Sequence, residues 1–447
     1  MNNKRTKFIV FLFLFTLIVA AISPLKTASA AENSIDVNAS SAIIIEESTG
    51  TILYGKNIDE KLPVASMAKV MTEYLVLEAV KDGRIKWEQT YTPSEYVYKI
   101  SQNEEYSNVP LRQDGSYTVK ELYEAMAIYS ANGAAIALAE IISGTETNFI
   151  KLMNEKAKEL GLTNYEFVNS TGLENGDLMG MHPEGTSPDA ENKLSARDMA
   201  LLSQKLIQDF PEVIETASIA KKTFKEGTEM LNWNWMLPDS NIKGYEYEGV
   251  DGLKTGSTNK AGSCFTATAT KNGMRVVAVV MNAKGESLHS ARFLEMEKML
   301  NYGFNNFSVK EIFPAKYQVE KQSSLPVVKG KEKSVSIQTK DPLTLVIRNG
   351  DEKAYKAKFN INKDKLTKNG ELTAPLKKGE KVGTMTVSYT GNGEALSFIQ
   401  EGKQPQVDVV TEVAVEKANW FVLSMRAVGS FFSGLWGTIT DTVKGWF

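Results

Sequence analysis

The spacing of apolar residues near the start of the chain changes from a strand pattern to a helix pattern. Apolar runs at 42–45 and 51–54 flank a Ser-Thr-Gly turn and predict a β-hairpin. Beyond it, apolar residues recur at helical spacing, at Met67, Val70, Met71, Tyr74 and Leu77. An amphipathic helix is therefore predicted to begin near Ser66, directly after the hairpin.

Helices and strands remain mixed up to about residue 308. Further helices are predicted behind a Thr118-Val-Lys-Glu121 capping box, at 133–140, at 148–160, from 194, and at 287–305. Strands are predicted at 250–255, 263–270 and 275–281. Together with the first hairpin they give a five-stranded antiparallel sheet flanked by helices, an α/β (α+β) arrangement.

From about Phe307 the pattern becomes strand-like alternation. Strands are predicted at 334–339, 343–347, 354–361 and 383–389. They predict a separate β-sandwich-like domain over 309–410. Because the segment carries no cluster of catalytic residue types, we expect it to be a spacer or a platform for other proteins.

The last segment, 411–447, has the pattern of an amphipathic helix. Its apolar residues are three or four apart on one face: Phe421, Met425, Val428, Phe432, Leu435, Ile439, Val443 and Trp446. No apolar run approaches the ~20 residues of a spanning helix, so this helix is predicted to lie on a membrane surface. The alternatives are packing on the protein's own β domain and a dimer seam.

The N-terminus has the three regions of a secretory signal peptide. Lys4, Arg5 and Lys7 precede an apolar run at 8–22, and a small-residue segment at 28–30 follows. We expect cleavage after Ala30, with Ala31 as the alternative, and a mature catalytic domain over 31–308. The other interpretation is a retained anchor, but the run is shorter than a spanning helix needs.

Composition excludes several kinds of chemistry. The 51 basic and 54 acidic residues give a formal net charge of −3 and no basic surface for nucleic acid. Cys264 is the only cysteine, so neither an intrachain disulfide nor a thiolate metal site can form, and we expect it to be a packing residue. The two histidines, His182 and His289, have no setting that indicates a catalytic triad and are interpreted as surface residues.

The candidate chemistry lies in three short motifs in a fixed order. Ser-x-x-Lys occurs five times in the chain, starting at Ser23, Ser66, Ser218, Ser240 and Ser257, so the motif alone means little. Only Ser66 stands at a strand-to-helix junction. Ser130-Ala-Asn132 follows between two helices, and Lys254-Thr-Gly256 follows on a strand. Each serine could instead be an ordinary helix N-cap.

This ordered triple resembles that of the penicillin-recognising serine enzymes. The whole chain is similar to low-molecular-mass penicillin-binding proteins of the penicillin-binding protein 5 type, which are D-alanyl-D-alanine carboxypeptidases. The resemblance implies the DD-peptidase/β-lactamase-like fold, β-lactams as inhibitors, and an extracytoplasmic role in cell-wall biosynthesis. It implies no metal and no organic cofactor.

The resemblance also implies residue roles. Ser66 would be the acyl-ester nucleophile, Lys69 its general base, and Ser130 a proton relay to the leaving amine. Substrate, a peptidoglycan stem peptide ending in D-alanyl-D-alanine, would be bound by Asn132, Lys254, Thr255 and Gly256. The backbone N–H groups of Ser66 and Ser257 would stabilise the oxyanion.

Two other functions stay open at this point. A β-lactamase would need a further base for deacylation, for which Glu174 and Glu184 lie in the right part of the chain but lack the expected neighbours. A non-catalytic wall-binding or sensor protein could retain the fold. Hydrolysis of a D-alanyl-D-alanine pentapeptide and the fate of bound penicillin would distinguish the three.

Overall fold

The protein is described here from a computed structural model, which describes residues 35–320, 322–426 and 428. The predicted signal peptide and most of the C-terminal apolar stripe lie outside these residues. The α-helices are α1 Lys69–Lys81, α2 Glu95–Ser101, α3 Val119–Tyr129, α4 Asn132–Ser143, α5 Glu146–Leu160, α6 Ala196–Asp209, α7 Val213–Ala217 and α8 Ala291–Asn306.

The strands of the N-terminal part are β1 Ala39–Glu46, β2 Ile52–Lys56, β3 Leu62–Pro63, β4 Thr90–Tyr91, β5 Tyr117–Thr118, β6 Tyr165–Glu166, β7 Lys193–Leu194, β8 Lys221–Thr223, β9 Glu229–Leu231, β10 Val250–Thr258, β11 Gly262–Lys271 and β12 Met274–Ala283. Five of them form the main sheet, in the order β10-β11-β12-β1-β2. All its pairings are antiparallel, as the sequence predicted.

The first helix differs from its prediction in two ways. Ser66 lies in a 3₁₀ turn, Ala65–Ala68, and the α-helix begins only at Lys69. Ten of the thirteen residues of α1 are buried, so the helix is enclosed on all sides rather than amphipathic. The sequence could not indicate this enclosure, because three of the buried residues are polar: Lys69, Thr72 and Glu73. Their burial creates the electrostatic setting of the site.

The C-terminal part is β-rich, as predicted. Its strands are β13 Phe307–Phe313, β14 Ser324–Val328, β15 Ser334–Thr339, β16 Leu343–Arg348, β17 Tyr355–Ile361, β18 Leu372–Thr373, β19 Lys381–Tyr389 and β20 Val407–Thr411. They form a six-stranded sheet, β17-β19-β20-β15-β14-β18, and a two-stranded sheet, β13-β16, around one apolar core.

The loop between β19 and β20 joins the β-rich part to the N-terminal part. Ile52 N–H donates to Ser397 O at 2.8 Å, and Ile399 N–H donates to Gly50 O at 2.8 Å. The Ile399 side chain is buried in the apolar core of the N-terminal part. Burial of this side chain and pairing of both backbones fix the loop against the hairpin β1-β2.

The chain after β20 continues to pack on the β-rich part up to residue 418. Val415 and Ala418 are buried, and Ala418 N–H donates to Lys329 O at 2.8 Å. Residues 420–426 are helical, with the Asn419 side chain accepting from Val422 N–H at 2.9 Å. Among the described residues, no helix combines the length and apolarity needed to cross a bilayer.

Candidate active site

The turn that carries Ser66 brings its hydroxyl to a buried lysine. Lys69 Nζ lies 3.0 Å from Ser66 Oγ. The same nitrogen donates to Asn132 Oδ1 at 2.8 Å and to Thr171 O at 2.5 Å. Lys69 is fully buried, and three separate segments of the chain therefore converge on its amine.

Burial sets the charge of this lysine. Desolvation, and then the positive charge of Lys254, lowers the pKa of Lys69 well below its usual value, while Glu73 and Glu146 oppose the shift. Burial also lowers the pKa of Lys254 and raises the pKa of Glu73. Two lysines and one carboxylate are thus buried close enough to shift one another's pKa.

The Ser130 motif lies where two helices meet. Helix α3 ends at Tyr129, Ser130 adopts a left-handed conformation with φ 63°, and α4 begins at Asn132. This turn places Ser130 at the wall of the cleft and aims Asn132 at Lys69. The Asn132 amide also donates from Nδ2 to Ser107 O at 3.0 Å. Asn132, which was predicted to bind substrate, lines the cavity, and its amide oxygen also accepts a hydrogen bond from Lys69.

The third motif runs along β10, at the edge of the main sheet. Lys254 is buried and donates from Nζ to Thr255 O at 3.2 Å. Gly256 lies directly against the Ser66 turn, where an added Cβ would come within 2.7 Å of Val64 O. A glycine is therefore needed here for close contact with the turn that carries Ser66.

Arg292 of α8 holds this strand from behind, a residue that the sequence analysis did not find. It is buried and donates from Nη1 to Gly256 O at 2.9 Å and to Cys264 O at 3.0 Å. Its Nη2 donates to Ser257 Oγ. Burial lowers the pKa of Arg292 to about 10, so the guanidinium remains a cation at neutral pH.

The loop at 169–172 is the second part of the site that the sequence did not predict. Asn169 Oδ1 accepts from Thr171 N–H at 3.1 Å and from Gly172 N–H at 2.7 Å. This tight turn presents Thr171 O to Lys69. The only signal in the sequence is a string of turn-forming residues, which does not indicate a tertiary partner.

A cavity of about 380 Å³ opens over these groups. Its lining includes all the predicted cleft residues except the buried Lys69 and Lys254: Ser66, Ser130, Asn132, Thr255, Gly256 and Ser257. Arg292, His289 and the rings of Trp233 and Trp235 complete one side. His289 is exposed, as predicted for a surface residue, but it lies at this cavity.

The remaining candidates have structural settings. Cys264 is buried on β11, where burial raises its thiol pKa to about 11. Glu174 forms an ion pair with Lys260 at 3.0 Å. The backbone N–H of the exposed Glu184 donates to Thr147 Oγ1. Neither glutamate belongs to the cavity lining, so neither stands beside Ser66 as a deacylating base.

A serine hydroxyl on a buried lysine, between an antiparallel sheet and a helical region, defines an acyl-transfer site of the penicillin-recognising class. The D-alanyl-D-alanine carboxypeptidase family matches residues 26–285, and the C-terminal domain family of penicillin-binding protein 5 matches residues 307–417. The chain belongs to the D-alanyl-D-alanine carboxypeptidase family, within the low-molecular-mass penicillin-binding proteins, and is a serine-type enzyme of cell-wall metabolism.

Known proteins resemble the chain over most of its length. D-alanyl-D-alanine carboxypeptidase DacF of Bacillus subtilis is 33% identical over 88% of this chain and 90% of its own. The crystal structure of a peptidoglycan synthesis regulatory factor (PBP3) from Streptococcus pneumoniae has a TM-score of 0.71 and 34% identity, covering 86% of this chain and all of the other. Penicillin-binding protein D2 from Listeria monocytogenes, in its ampicillin-bound form, has a TM-score of 0.50 and 33% identity, covering 61% and 99%.

Proposed function

We propose that the protein removes the terminal D-alanine from peptidoglycan stem peptides ending in D-alanyl-D-alanine, through an acyl-enzyme on Ser66. The observation that carries this mechanism is the set of contacts of Lys69. Its nitrogen faces two carbonyl oxygens, of Asn132 and Thr171, and one hydroxyl, of Ser66. A neutral amine has two N–H donors and one lone pair, which match these three partners.

In this arrangement the lone pair of Lys69 accepts the proton of Ser66 as Oγ attacks the penultimate carbonyl carbon. The lowered pKa of Lys69 favours the neutral amine, the form that can accept this proton. The oxyanion that forms is stabilised by the backbone N–H groups of Ser66 and Ser257. Both residues line the cavity.

The leaving D-alanine needs a proton on its nitrogen and a partner for its carboxylate. Ser130, at the cavity wall, relays the proton to the leaving nitrogen. Thr255 lines the cavity next to the cations of Lys254 and Arg292, and this group binds the carboxylate. A water molecule then takes the place of the amine, and Lys69 removes its proton for hydrolysis of the ester.

β-Lactams fit the same proposal as inhibitors. They carry an acyl carbon and a carboxylate, and the Listeria monocytogenes relative has been crystallised in ampicillin-bound form. The penicilloyl ester would persist, because its leaving nitrogen stays attached and blocks the approach of water.

We also propose that the enzyme is exported by its N-terminal signal and held at the extracytoplasmic face of the membrane by its C-terminal helix. At the start of that helix, Trp420, Phe421, Met425 and Val428 are each more than half exposed. Arg426 instead donates to Gly330 O and Lys331 O on the β-rich part. Exposed apolar side chains on a helix tied to the protein by its polar side support a membrane-facing stripe.

The test combines fluorescent penicillin with a D-alanyl-D-alanine pentapeptide. We expect label at Ser66 alone by peptide mapping, release of D-alanine, and loss of both in Ser66→Ala. Lys69→Ala should fold but acylate on the order of a hundredfold or more slowly, as a lost base requires. Rapid turnover of penicillin would instead indicate a β-lactamase, and labelling without D-alanine release a sensor. Label on Ser218, Ser240 or Ser257 would overturn the mechanism.

A further inference from the structure

Aromatic rings form a continuous chain across one part of the cavity. Tyr129 and Trp233 have ring centroids 6.3 Å apart, and Trp233 and His289 are 6.4 Å apart. His289 is 6.5 Å from Trp235, which is 5.2 Å from Phe293. All five residues line the cavity. We call these five rings the aromatic wall.

The wall connects the two sides of the cleft. Tyr129 directly precedes Ser130 on the helical side, and Phe293 belongs to α8, which packs behind the strand β10. Trp233 Nε1–H donates to Tyr129 O at 3.2 Å, which ties the middle of the wall to the helical side. The five rings therefore border the cavity along that side.

The local sequence holds the wall in place. In the segment Asn232-Trp-Asn-Trp235 the asparagines and tryptophans alternate. The Asn232 amide donates to Ala217 O and Ile219 O, and the buried Asn234 amide donates to Gly252 O. The two tryptophan rings are half-buried and border the cavity. The asparagines fix the backbone, and the rings are left facing the space above it.

The wall stands at the cationic part of the cavity. His289 and Phe293 lie on the segment that carries Arg292, whose guanidinium is 5.9 Å from the Phe293 ring and holds Ser257. Another part of the cavity is lined by the loop that contains Ser107, which accepts a hydrogen bond from Asn132. This loop carries two exposed acidic residues, Glu104 and Glu105. A substrate carboxylate is attracted to the first group and repelled by the second.

We infer that Trp233 and His289 limit the space beyond the bound carboxylate, and so restrict the enzyme to substrates in which a single residue follows the scissile bond. This inference rests on the proposed function, because it takes the substrate's terminal carboxylate to lie among Thr255, Ser257 and Arg292. The rest of the stem peptide then leaves the cavity on the side of Glu104 and Glu105.

The reaction itself is unchanged by the wall. The amide bond between the penultimate and the following residue breaks, Ser66 Oγ forms the ester, and the freed amine takes the proton that Ser66 gave up. The wall limits the number of residues that can follow the scissile bond. In this inference a single D-alanine occupies the space in front of the rings, and a further residue would clash with Trp233 or His289.

The experiment compares two peptides with each variant. One is a pentapeptide ending in D-alanyl-D-alanine, and the other carries one extra glycine after the terminal D-alanine. We expect the unmodified enzyme to cleave the first strongly and the second weakly at the same D-alanyl-D-alanine bond. In Trp233→Ala and in His289→Ala, kcat/KM for the extended peptide relative to the first should rise about tenfold or more.

Three variants distinguish a specific effect of the aromatic wall on peptide preference from a general loss of structure. Trp233→Phe removes the bond to Tyr129 O but keeps a ring, so the preference of the unmodified enzyme should persist. Trp420→Ala removes an exposed tryptophan outside the cavity and should leave the ratio of kcat/KM for the two peptides unchanged. The exposed ring of His289 can be removed without opening the apolar core, so His289→Ala decides the question even if Trp233→Ala does not fold.

The outcomes distinguish this inference from the proposed function. If the unmodified enzyme releases no D-alanine from the first peptide, the proposed function fails. If it does so, and the ratio stays unchanged in His289→Ala and in any folded Trp233→Ala, the wall does not set the specificity. The same conclusion follows if the unmodified enzyme cleaves both peptides equally well.

Discussion

At the scale of single residues, the site depends on a carboxylate that the motifs do not include. Glu73 follows Lys69 by one helical turn and is buried. Its charge raises the pKa of both Lys69 and Lys254 against the effect of burial. Glu146 of α5 and Arg292 of α8 are the other charged groups that shift the pKa of these lysines. Burial, and then the charge of Glu73, raises the pKa of the Tyr123 hydroxyl of α3. Glu73 therefore acts on the pKa of both lysines to which the proposed mechanism assigns the base and the cation.

The first prediction concerns the pH profile of Glu73→Gln. In the proposed mechanism a neutral Lys69 sets the acid limb and a cationic Lys254 sets the alkaline limb. Removing the carboxylate lowers the pKa of both lysines, so both limbs of kcat/KM should move to lower pH, by on the order of one unit. The measurement is D-alanine release from pH 5 to pH 10.

Two variants give the comparison for that profile. Glu78→Gln makes the same change on the same helix, where the carboxylate pairs with Lys156 at 2.8 Å, and should leave the profile in place. Glu73→Asp keeps a carboxylate, so its pH profile should lie between those of the unmodified enzyme and Glu73→Gln. A Glu73→Gln enzyme that is slower at every pH, with unmoved limbs, would mean that Glu73 only supports packing.

The sequence motifs identified the residues that meet at the candidate site, but not the charged residues that surround them. Ser66, Lys69 and Asn132 were found from motif order, and hydrogen bonds to the lysine bring them together. Glu73 and Arg292 were not found, because nothing local distinguishes a charged residue that is buried by tertiary packing from one on a solvated helix face. The role of Asn132 as a partner of Lys69 likewise depends on where helix α4 packs.

At the scale of elements, the nucleophile's turn is fixed by a neighbouring loop. Ala65 has a φ of 49°, and Gly172, with a φ of 83°, lies directly against it. A Cβ on Gly172 would lie 2.0 Å from Ala65 O and 2.8 Å from Ser66 N. No rearrangement of a flexible side chain can relieve a contact between two backbones, so the loop and the turn require each other's geometry.

The second prediction follows from that contact. Gly172→Ala should lower the free energy of unfolding by more than about 2 kcal/mol and slow the acylation of Ser66, since relief of the clash must move the turn. Gly180→Ala is the matched control: its φ is 75° but no atom lies within 4 Å of an added Cβ. That variant should cost only about 1 to 2 kcal/mol and keep its acylation rate. Equal effects in the two variants would contradict the proposed contact.

Element boundaries were predicted where local chemistry decides them. The Thr118–Glu121 capping box and the five-stranded antiparallel sheet are confirmed. The 3₁₀ turn at Ser66 was missed, because it depends on the Gly172 loop. The amphipathic character of α1 was wrong, because polar residues on a helix were assumed to face water.

At the scale of the whole molecule, the β-rich part is joined to the catalytic part by a specific contact rather than by a linker alone. The loop at 395–400 pairs with Gly50 and Ile52 and buries Ile399 beneath the hairpin. A further residue, Arg197 on α6, donates to Ile399 O at 3.3 Å and pairs with Asp59. If the C-terminal helix binds the membrane as proposed, this contact would hold the cleft at a fixed distance from the membrane surface.

The proposed membrane-binding segment is best taken to begin after the residues that pack on the β-rich part. The sequence placed it at 411, but residues up to Ala418 are bound to the β-rich part, where Val415 packs in the core. A protein cut before residue 412 would lose that packing and could become insoluble for a reason unrelated to membranes. We therefore place the informative truncation after Asn419.

The third prediction is that the protein truncated after Asn419 keeps its carboxypeptidase activity but no longer floats with lipid vesicles. In the full chain, eight stripe residues at ~1 kcal/mol each would give ~8 kcal/mol, a micromolar-scale affinity. Leu435→Asp, on the stripe, should weaken vesicle binding about tenfold or more, whereas Ser433→Asp adds the same charge on the opposite face and should have little effect. Because the polar face is not strongly basic, neutral vesicles should bind nearly as well as anionic ones. Flotation of the truncated protein, or equal binding of the two aspartate variants, would show that another surface holds the membrane.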